Sequence, residues 1–522
     1  MTRSVPLPGK RSVCLLLVLY STCFILLNRS SSVESATVNK VTILIDATKV
    51  TGQFNPNLLG HNIQWTDQGD GLLAPQTPQS SLFRPNVIEA LKQLPVPLIR
   101  FPGGSLASSY VWQRGVGPLG TRGSCPDFVG KNQPMLFGTT EYLALLNELG
   151  ATGMVTLNIN REPEEAAEWL RFVRQAGGAV SHWEVGNESF LPKDPSYSTV
   201  DTYIARYLAL RKALKAVDPE IKVGPLLEGS LINTTWGSHI VPELDVWNRR
   251  VVEATNDQAE FFAAHIYAPL ARGDSEVGTA NAMAAASEAM ERNLRTLSTL
   301  IRRQRPDQEL WVTEFNVLTD NALANWRFGT ALAQANYVSS LLLAFVRQQV
   351  SGANFWSLLG NHNFGLIKDS QDPRLRPAAL VYQLMGPLAG AMAIATETSA
   401  PELAYPAIGN VPQALAPKLI DAQAFAKGEA LQVMLVNRDP LQPLEVTLNL
   451  PPEASPAAGF GALLIAGPSF LANNEATDQV RLSELPLQPP TSNQVVLALP
   501  PGGITRLWVK CTKCFLNLRL LP

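Results

Sequence analysis

Short apolar runs alternate with longer stretches of helical periodicity through the first three quarters of the chain. In the helical stretches, at 140–149, 163–175, 200–217, 281–303 and 330–349, apolar residues return every three or four positions. The strand-like runs are 58–65, 97–100, 153–160, 182–188, 222–228, 261–268, 310–317 and 352–359. This repeated alternation predicts an α/β fold, the (β/α)8 TIM barrel, because about eight parallel strands, each followed by a helix, close into one.

The pattern changes near residue 390, where proline becomes frequent and helical periodicity ends. Short runs between turn residues follow, at 431–436, 444–448, 462–465, 495–499 and 505–509, and they predict an all-β module, most simply a sandwich. We expect the alternating stretch near residue 40 to pair with that module. The predicted domains are an N-terminal strand at 36–51, the barrel at 52–389, the β-sandwich at 390–510 and a tail at 511–522.

Residues 1–35 have the pattern of an export signal. Arg3, Lys10 and Arg11 precede an apolar run at 13–27, and a serine-rich polar stretch follows. The order predicts a secretory signal, since the apolar run is rather short for a membrane-spanning helix. No clean Ala-x-Ala cleavage site follows, so an uncleaved anchor is the alternative. We therefore expect a secreted or periplasmic protein, without a stable membrane partner unless this segment is retained.

Composition and charge narrow the possible functions. With 46% hydrophobic and 16% charged residues, the 522-residue chain is typical of a globular protein with more than one core. A formal net charge of -2 argues against a nucleic-acid partner and favours a neutral substrate. The cysteines are too sparse for a disulfide framework. The five histidines have no close ligand spacing, so we expect no metal and no other cofactor.

Two of the predicted barrel strands end near a glutamate. The fourth runs into Gly-Asn-Glu, which ends at Glu188, and the seventh carries Glu314 between a threonine and a phenylalanine. Barrels place catalytic groups at the carboxyl ends of their strands, and these two strands face each other. Such a pair is typical of a glycosidase, in which one carboxyl protonates the leaving oxygen while the other attacks the anomeric carbon or activates water. A separation of roughly 5–5.5 Å would indicate retention of configuration, and roughly 6.5–9.5 Å inversion.

The surroundings of Glu314 are apolar, so its carboxylate needs a partner. Strict alternation along 310–317 predicts that Val312, Glu314 and Asn316 share one face of the strand. A buried unpaired carboxylate costs several kcal/mol. Glu314 is therefore expected either to line a wet cavity or to pair in the core with an arginine such as Arg100.

Further residues are candidates for substrate binding. Asn187 could hydrogen-bond a sugar hydroxyl, and Tyr267, which shares a strand face with His265, could donate to the carboxylate of the nucleophile. Arg100 would lie on the inner face of its strand and hold that carboxylate ionised, or simply pair within the core. Trp356 could stack on a sugar ring or only fill the barrel.

The motifs around these residues are similar to those of a known family. Residues 100–105 read Arg-Phe-Pro-Gly-Gly-Ser and continue into Tyr-Val-Trp and Gly-Val-Gly-Pro, which resembles a segment of the α-L-arabinofuranosidases of glycoside hydrolase family 51. Residues 137–142, 183–188 and 265–267 also resemble motifs of that family, in the same order. The resemblance covers most of the barrel. It implies a retaining mechanism with Glu188 as acid/base and Glu314 as the nucleophile of a covalent glycosyl-enzyme intermediate.

Several residues depart from the family pattern. Ser105 replaces the asparagine after Pro-Gly-Gly, and Gln64 replaces a substrate-binding glutamate. Around Glu314, Thr-Glu-Phe-Asn replaces the usual sequence of the family. The eighth strand, with Trp356, is more like β-glucuronidases of family 79 or β-xylosidases of family 39. We expect a retaining glycosidase that acts on oligosaccharides or polysaccharides, foremost on α-L-arabinofuranosyl side chains. The alternatives are a β-glucuronidase- or β-xylosidase-like hydrolase of the same clan and a carbohydrate-binding barrel without turnover.

Overall fold

The computed structural model describes residues 38–75, 81–230, 235–236, 239–240, 244–269, 271, 273–318, 327–360, 363–490 and 492–511. The predicted export signal and most of the predicted tail lie outside these ranges, as does His362. Within these ranges, no helix has the length and apolar character needed to span a membrane.

Parallel strands form a closed barrel sheet. They are Gly60–Asn62, Leu98–Phe101, Thr152–Leu157, Val180–Val185, Lys222–Gly224, Leu226–Glu228, Phe261–Pro269, Glu309–Leu318 and Gly352–Phe355. The last of these pairs with the first. The two short strands on either side of Pro225 pair with different neighbours and together form the fifth barrel strand, interrupted at a residue that has no N–H to donate. The barrel therefore has eight strands, as the sequence predicts.

Helices connect the barrel strands. The α-helices with right-handed backbone are Pro85–Leu91, Thr139–Leu149, Pro163–Gln175, Val200–Val217, Leu244–Thr255, Glu276–Arg302, Leu332–Arg347 and Pro377–Met385. Three of them begin with proline, whose fixed φ suits the first helical position. The turn Thr66–Asp70 has left-handed backbone at its centre. The 3-10 helices are Pro56–Leu59, Ser105–Ser109, Trp112–Gly115, Leu119–Thr121, Arg327–Thr330, Gly386–Leu388 and Pro456–Ala458.

A second, mixed sheet forms the β module. In spatial order its strands are Arg481–Glu484, Phe460–Ala466, Ile504–Lys510, Ala430–Asn437, Ile420–Lys427, Met392–Ser399, Asn39–Gln53, Leu444–Asn449 and Gln494–Leu499. The N-terminal strand Asn39–Gln53 lies inside this sheet, antiparallel to one neighbour and parallel to the other. Strands near both ends of the order contribute side chains to one apolar core that is separate from the barrel core. The predicted fold class, a TIM barrel followed by a β module, is confirmed.

Two antiparallel hairpins lie outside these sheets. The first pairs Ser124–Pro126 with Asn132–Pro134, and the second pairs Thr235–Trp236 with His239–Ile240. Each is inserted in a connection that follows a barrel strand at its carboxyl end, the second strand and the fifth strand respectively. Loops of this kind build the active sites of TIM barrels.

A buried ion cluster joins two barrel helices to the β module. Arg347 contacts Glu291 at 2.6 Å and Asp421 at 3.0 Å, and Arg438 contacts Asp421 at 2.8 Å. Burial acts to raise the pKa of Asp421, but the charges of the two arginines outweigh it and lower that pKa. Asp421 therefore carries a charge that the folded state compensates.

We expect Asp421→Ala to lower the free energy of unfolding by about 3–5 kcal/mol, because the buried Arg438 loses its closest carboxylate and the half-buried Arg347 keeps only Glu291. Since folding lowers the pKa of Asp421, its contribution is present above the unfolded value of 3.8 and is lost as the pH falls through the folded value. Urea unfolding at neutral and at acidic pH measures both effects. Asp201→Ala, which removes the exposed partner of Arg250, is the control and should cost less than about 1 kcal/mol. Equal losses for the two variants would contradict this assignment.

Candidate active site

The two predicted glutamates meet at the carboxyl ends of the barrel strands. Glu188 follows the fourth strand, and Glu314 lies in the seventh. An oxygen of Glu188 lies within 4.8 Å of an oxygen of Glu314. This proximity is compatible with the separation of roughly 5–5.5 Å between the two carboxyl groups of retaining glycosidases.

Glu314 is held by two hydrogen-bond donors. Arg100 Nη1 donates to one carboxylate oxygen at 2.9 Å, and the Tyr267 hydroxyl donates to the other at 2.8 Å, as the sequence predicts for Tyr267. Burial, followed by the charges of Glu314 and Glu188, raises the pKa of Tyr267 well above 10, so the hydroxyl keeps its proton. A Cβ at Gly104 would lie only 3.0 Å from Glu314, so glycine leaves room for the carboxylate. Both donors fix the carboxylate and stabilise its charge.

The seventh strand does not keep the strict alternation expected from its sequence. Its register with the sixth strand shifts between Val312 and Glu314, so Thr313 is the extra residue of a β-bulge. The Thr313 hydroxyl donates to Glu184 at 2.5 Å, and Glu314 reaches the arginine that also binds Glu184. Two consecutive side chains therefore face the same buried cluster. Because of the bulge, the expectation that Val312 and Glu314 share a face does not hold.

Glu188 has the surroundings of an acid. Its side chain keeps 22% of its surface exposed, whereas that of Glu314 keeps 6%. Burial raises the pKa of Glu188, the charges of Glu314 and Asp194 raise it further, and His265 opposes them. Glu188 therefore retains a proton to higher pH than a free glutamic acid does, while staying open to the cleft.

His265 lies between three carboxylates. Its Nδ1 is 3.0 Å from an oxygen of Glu188 and 3.6 Å from one of Glu314, and its Nε2 is 3.8 Å from one of Glu184. Burial acts to lower the pKa of His265, but these charges outweigh it and raise the pKa to about 10. The ring is therefore an imidazolium at neutral pH.

The donor atoms of Glu188, His265 and Glu314 are also close enough together to suggest a metal site. Both Glu314 oxygens in this group accept hydrogen bonds, one from Arg100 and one from Tyr267. The absence of a metal stays a prediction of the sequence.

Arg100, predicted to bind substrate, is fully buried. Besides Glu314, its guanidinium donates to Glu184 at 2.6 Å, Asn62 at 2.9 Å and Asn187 at 3.1 Å. Arg100 therefore holds the Glu314 carboxylate, as the sequence analysis expected, and positions three further side chains. Its contact with a substrate stays a prediction.

Glu184 and Asp194 belong to the site but were not singled out by sequence reasoning. Glu184 could have been identified from the sequence, because a charged residue inside an apolar strand needs a buried partner. Asp194 accepts hydrogen bonds from Asn187 at 3.1 Å and from Ser108 at 2.8 Å. Asn187 is thus fixed from both ends of its amide and is 1% exposed. Its contact with a sugar hydroxyl stays a prediction.

Three predicted specificity residues lie around this centre. The main-chain N–H and the side-chain amide of Gln64 donate to Asp70 at 2.8 and 3.1 Å. Burial raises the pKa of Asp70 to about 7. Ser105 begins a 3-10 helix directly after Gly104, and the ring of Trp356 would lie 3.1 Å from a Cβ at Gly104. Trp356 therefore lies beside Glu314, the predicted nucleophile, and its stacking on a sugar stays a prediction.

The chain has relatives of known activity. No family model matches it. An intracellular exo-α-(1→5)-L-arabinofuranosidase of Acetivibrio thermocellus is 28% identical over 235 residues, which cover 41% of this chain and 44% of that protein. The α-L-arabinofuranosidase C of Emericella nidulans is 33% identical over 186 residues, which cover 32% of this chain and 36% of that protein. The chain thus spans less than half the length of these curated relatives.

The fold extends the similarity. The structure of the GH51 arabinofuranosidase from Xanthomonas axonopodis pv. citri has a TM-score of 0.78 and 18% identity, and it covers 90% of this chain and 100% of that one. At this identity the likeness is one of fold, and it includes both the barrel and the β module. In fold over 90% of its length, and in sequence over 32–41%, the chain resembles the arabinofuranosidases of glycoside hydrolase family 51.

Proposed function

We propose that this protein is a retaining glycoside hydrolase that removes α-L-arabinofuranosyl units from polysaccharide side chains. The observation that carries the proposal is the pair Glu188 and Glu314, whose oxygens lie within 4.8 Å and whose surroundings differ. Glu314 is held by two donors, and Glu188 has a raised pKa. The names of the curated relatives support the arabinofuranoside, since both are called arabinofuranosidases.

In the first half-reaction, the Glu314 carboxylate attacks the anomeric carbon while Glu188 gives its proton to the glycosidic oxygen. The bond between that carbon and oxygen breaks, the alcohol leaves, and a glycosyl ester with Glu314 remains. Tyr267 and Arg100 hold the attacking carboxylate in one orientation, so little reorganisation is needed.

In the second half-reaction, Glu188 is a carboxylate and takes a proton from water. The water oxygen attacks the anomeric carbon, the ester bond breaks and Glu314 becomes a carboxylate again. His265 hydrogen-bonds to Glu188 at 3.0 Å, and its positive charge stabilises the ionised form in this step. Two displacements at one carbon retain its configuration.

We expect p-nitrophenyl α-L-arabinofuranoside to have the highest kcat/KM in a panel with the β-xyloside, the β-glucoside and the β-glucuronide. The basis is the similarity to arabinofuranosidases around the reacting pair. Release of p-nitrophenol measures each rate, and NMR of the first-formed sugar shows its anomeric configuration. A preference for the glucuronide or the xyloside would shift the proposal to those hydrolases. Oligosaccharide binding with no release from any substrate would favour a binding barrel.

We expect Glu314→Gln to lower kcat by about 1000-fold or more, since the amide cannot form the ester intermediate. Glu89→Gln, which neutralises an exposed carboxylate on the Pro85–Leu91 helix, is the matched control and should keep full activity. Circular dichroism and thermal unfolding should be used to check that both variants are folded. A loss of less than about tenfold for Glu314→Gln would exclude it as the nucleophile.

Glu188→Ala should hydrolyse substrates with poor leaving groups very slowly, and azide should restore turnover of an aryl glycoside by forming the glycosyl azide. Because the pKa of Glu188 is raised, the alkaline limb of the wild-type kcat/KM profile should lie above the ordinary carboxyl range. In the variant that limb should disappear. Absence of both the azide rescue and the change in profile would argue against Glu188 as the acid/base.

A further inference from the structure

A third carboxylate, Glu184, lies beneath the two reacting ones and is fully buried. It accepts hydrogen bonds from Arg100 Nε at 2.6 Å and from the hydroxyls of Thr156 at 2.7 Å and Thr313 at 2.5 Å. Burial acts to raise the pKa of Glu184, but the charge of Arg100, then His265 and these hydrogen bonds, lower it to about 2. Glu184 is therefore a carboxylate throughout the working pH range, with no exposed surface for a substrate.

Glu184 is also the carboxylate that faces the far side of the His265 ring. The distance from His265 Nε2 to the nearest Glu184 oxygen is 3.8 Å, too long for a hydrogen bond but short enough for strong charge attraction in a dry site. Nε2 is buried and has no hydrogen-bond partner among the described residues. Glu184 therefore adds to the attraction that Glu314 and Glu188 exert on the imidazolium, and it acts from the Nε2 side.

The charges of Arg100, His265, Glu184, Glu188 and Glu314 sum to zero in both half-reactions. In the free enzyme, Arg100 and His265 are positive, Glu184 and Glu314 are negative, and Glu188 holds a proton. In the glycosyl-enzyme, Glu314 is a neutral ester and Glu188 has become the second anion. The proton that leaves with the first product is replaced by one from water, which restores the charge of the free enzyme. Without Glu184, Arg100 and His265 would lose one of their two negative partners in both states.

We propose that Glu184 is a positioning residue that serves as the constant counter-charge of the site and keeps His265 protonated beside Glu188 through both half-reactions. This inference rests on the proposed retaining function. The role of Glu184 differs from that of Glu188 and Glu314, whose charges change during the reaction. Glu184 gives the imidazolium a partner that never reacts.

Other charged and titratable groups also surround His265. Glu188 and Glu314 face Nδ1, and Tyr267 lies on the same strand and donates to Glu314. Arg100 acts through the carboxylates that it binds, and Glu228 is the register partner of His265 on the fifth strand, with its carboxylate accepting from the Ser230 N–H. Among the groups placed against the ring, Glu184 is the anion on the Nε2 side.

The test uses the full-length protein with 13C in the ring of histidine, of which the chain has five. His265→Asn identifies the His265 signal, and its shift is followed with pH. In the wild type, His265 should stay protonated beyond pH 9. Glu184→Gln, which removes the charge and keeps the size, should lower the midpoint by at least about one pH unit, which corresponds to the loss of one close opposite charge. The kcat for the aryl arabinofuranoside should fall at least tenfold.

Two further variants separate charge from packing. Glu184→Asp keeps the charge and should restore most of the His265 midpoint. Thr156→Val removes one hydroxyl that binds Glu184 without changing the charge, and should leave the midpoint within about 0.5 pH unit of the wild type. An unchanged midpoint in Glu184→Gln, or an equal shift in Thr156→Val, would overturn the inference.

If Glu184→Gln does not fold, the titration of the wild type is sufficient by itself. A neutral His265 at pH 7 would overturn the proposed role of Glu184. The titration also needs no turnover. A protein that hydrolyses no glycoside of the panel, yet loses the His265 proton early in Glu184→Gln, would overturn the proposed function while supporting the pairing of Glu184 with His265.

Discussion

A single buried guanidinium holds the ends of several barrel strands in register. Arg100 comes from the second strand and donates to Asn62 on the first, Glu184 on the fourth and Glu314 on the seventh. A buried charge is costly unless it is paired and hydrogen-bonded, so loss of one of these partners would leave the guanidinium undercompensated. The same set of contacts also fixes the position of Glu314, the proposed nucleophile.

The division of work between the two reacting glutamates follows from this arrangement. Glu314 is next to Arg100 and Tyr267, so its negative charge is compensated before any substrate binds. Glu188 lies beyond the end of its strand, is partly exposed and, among the described residues, forms its ion pair with His265 and none with an arginine. Two side chains of the same chemical type thus have different surroundings, and such a difference is what sets acid and nucleophile apart in paired carboxylates.

Buried charge recurs where the barrel meets the β module. Asp421 on a strand of the module pairs with Arg347 at the end of a barrel helix and with Arg438. As in the active site, each of these charged side chains lies beside an opposite charge, which is the condition under which charges are tolerated in an interior. The module therefore contributes packing and charge compensation to the barrel, whereas the reacting residues come from the barrel alone.

Local patterns in the sequence were sufficient for the fold class and for placing two glutamates close together at the strand ends. Strand and helix periodicities differ, so eight strand-like runs could be recognised, and glutamates at the ends of the fourth and seventh strands indicated a glycosidase. The details needed contacts between distant residues. The bulge at Thr313 depends on register with the sixth strand, and the enclosure of Arg100 depends on four acceptors from other parts of the chain.

The protonation of His265 shows most clearly that contacts between distant residues are needed. Its nearest partner, Glu188, is 77 residues away in the sequence, and the other two carboxylates belong to different strands. A pKa is set by burial and by charges within a few ångströms, and only the closed barrel brings these groups together. The sequence by itself determined which residue types stand at the strand ends. The tertiary structure decided which of them carry a charge, because charge depends on neighbours in space.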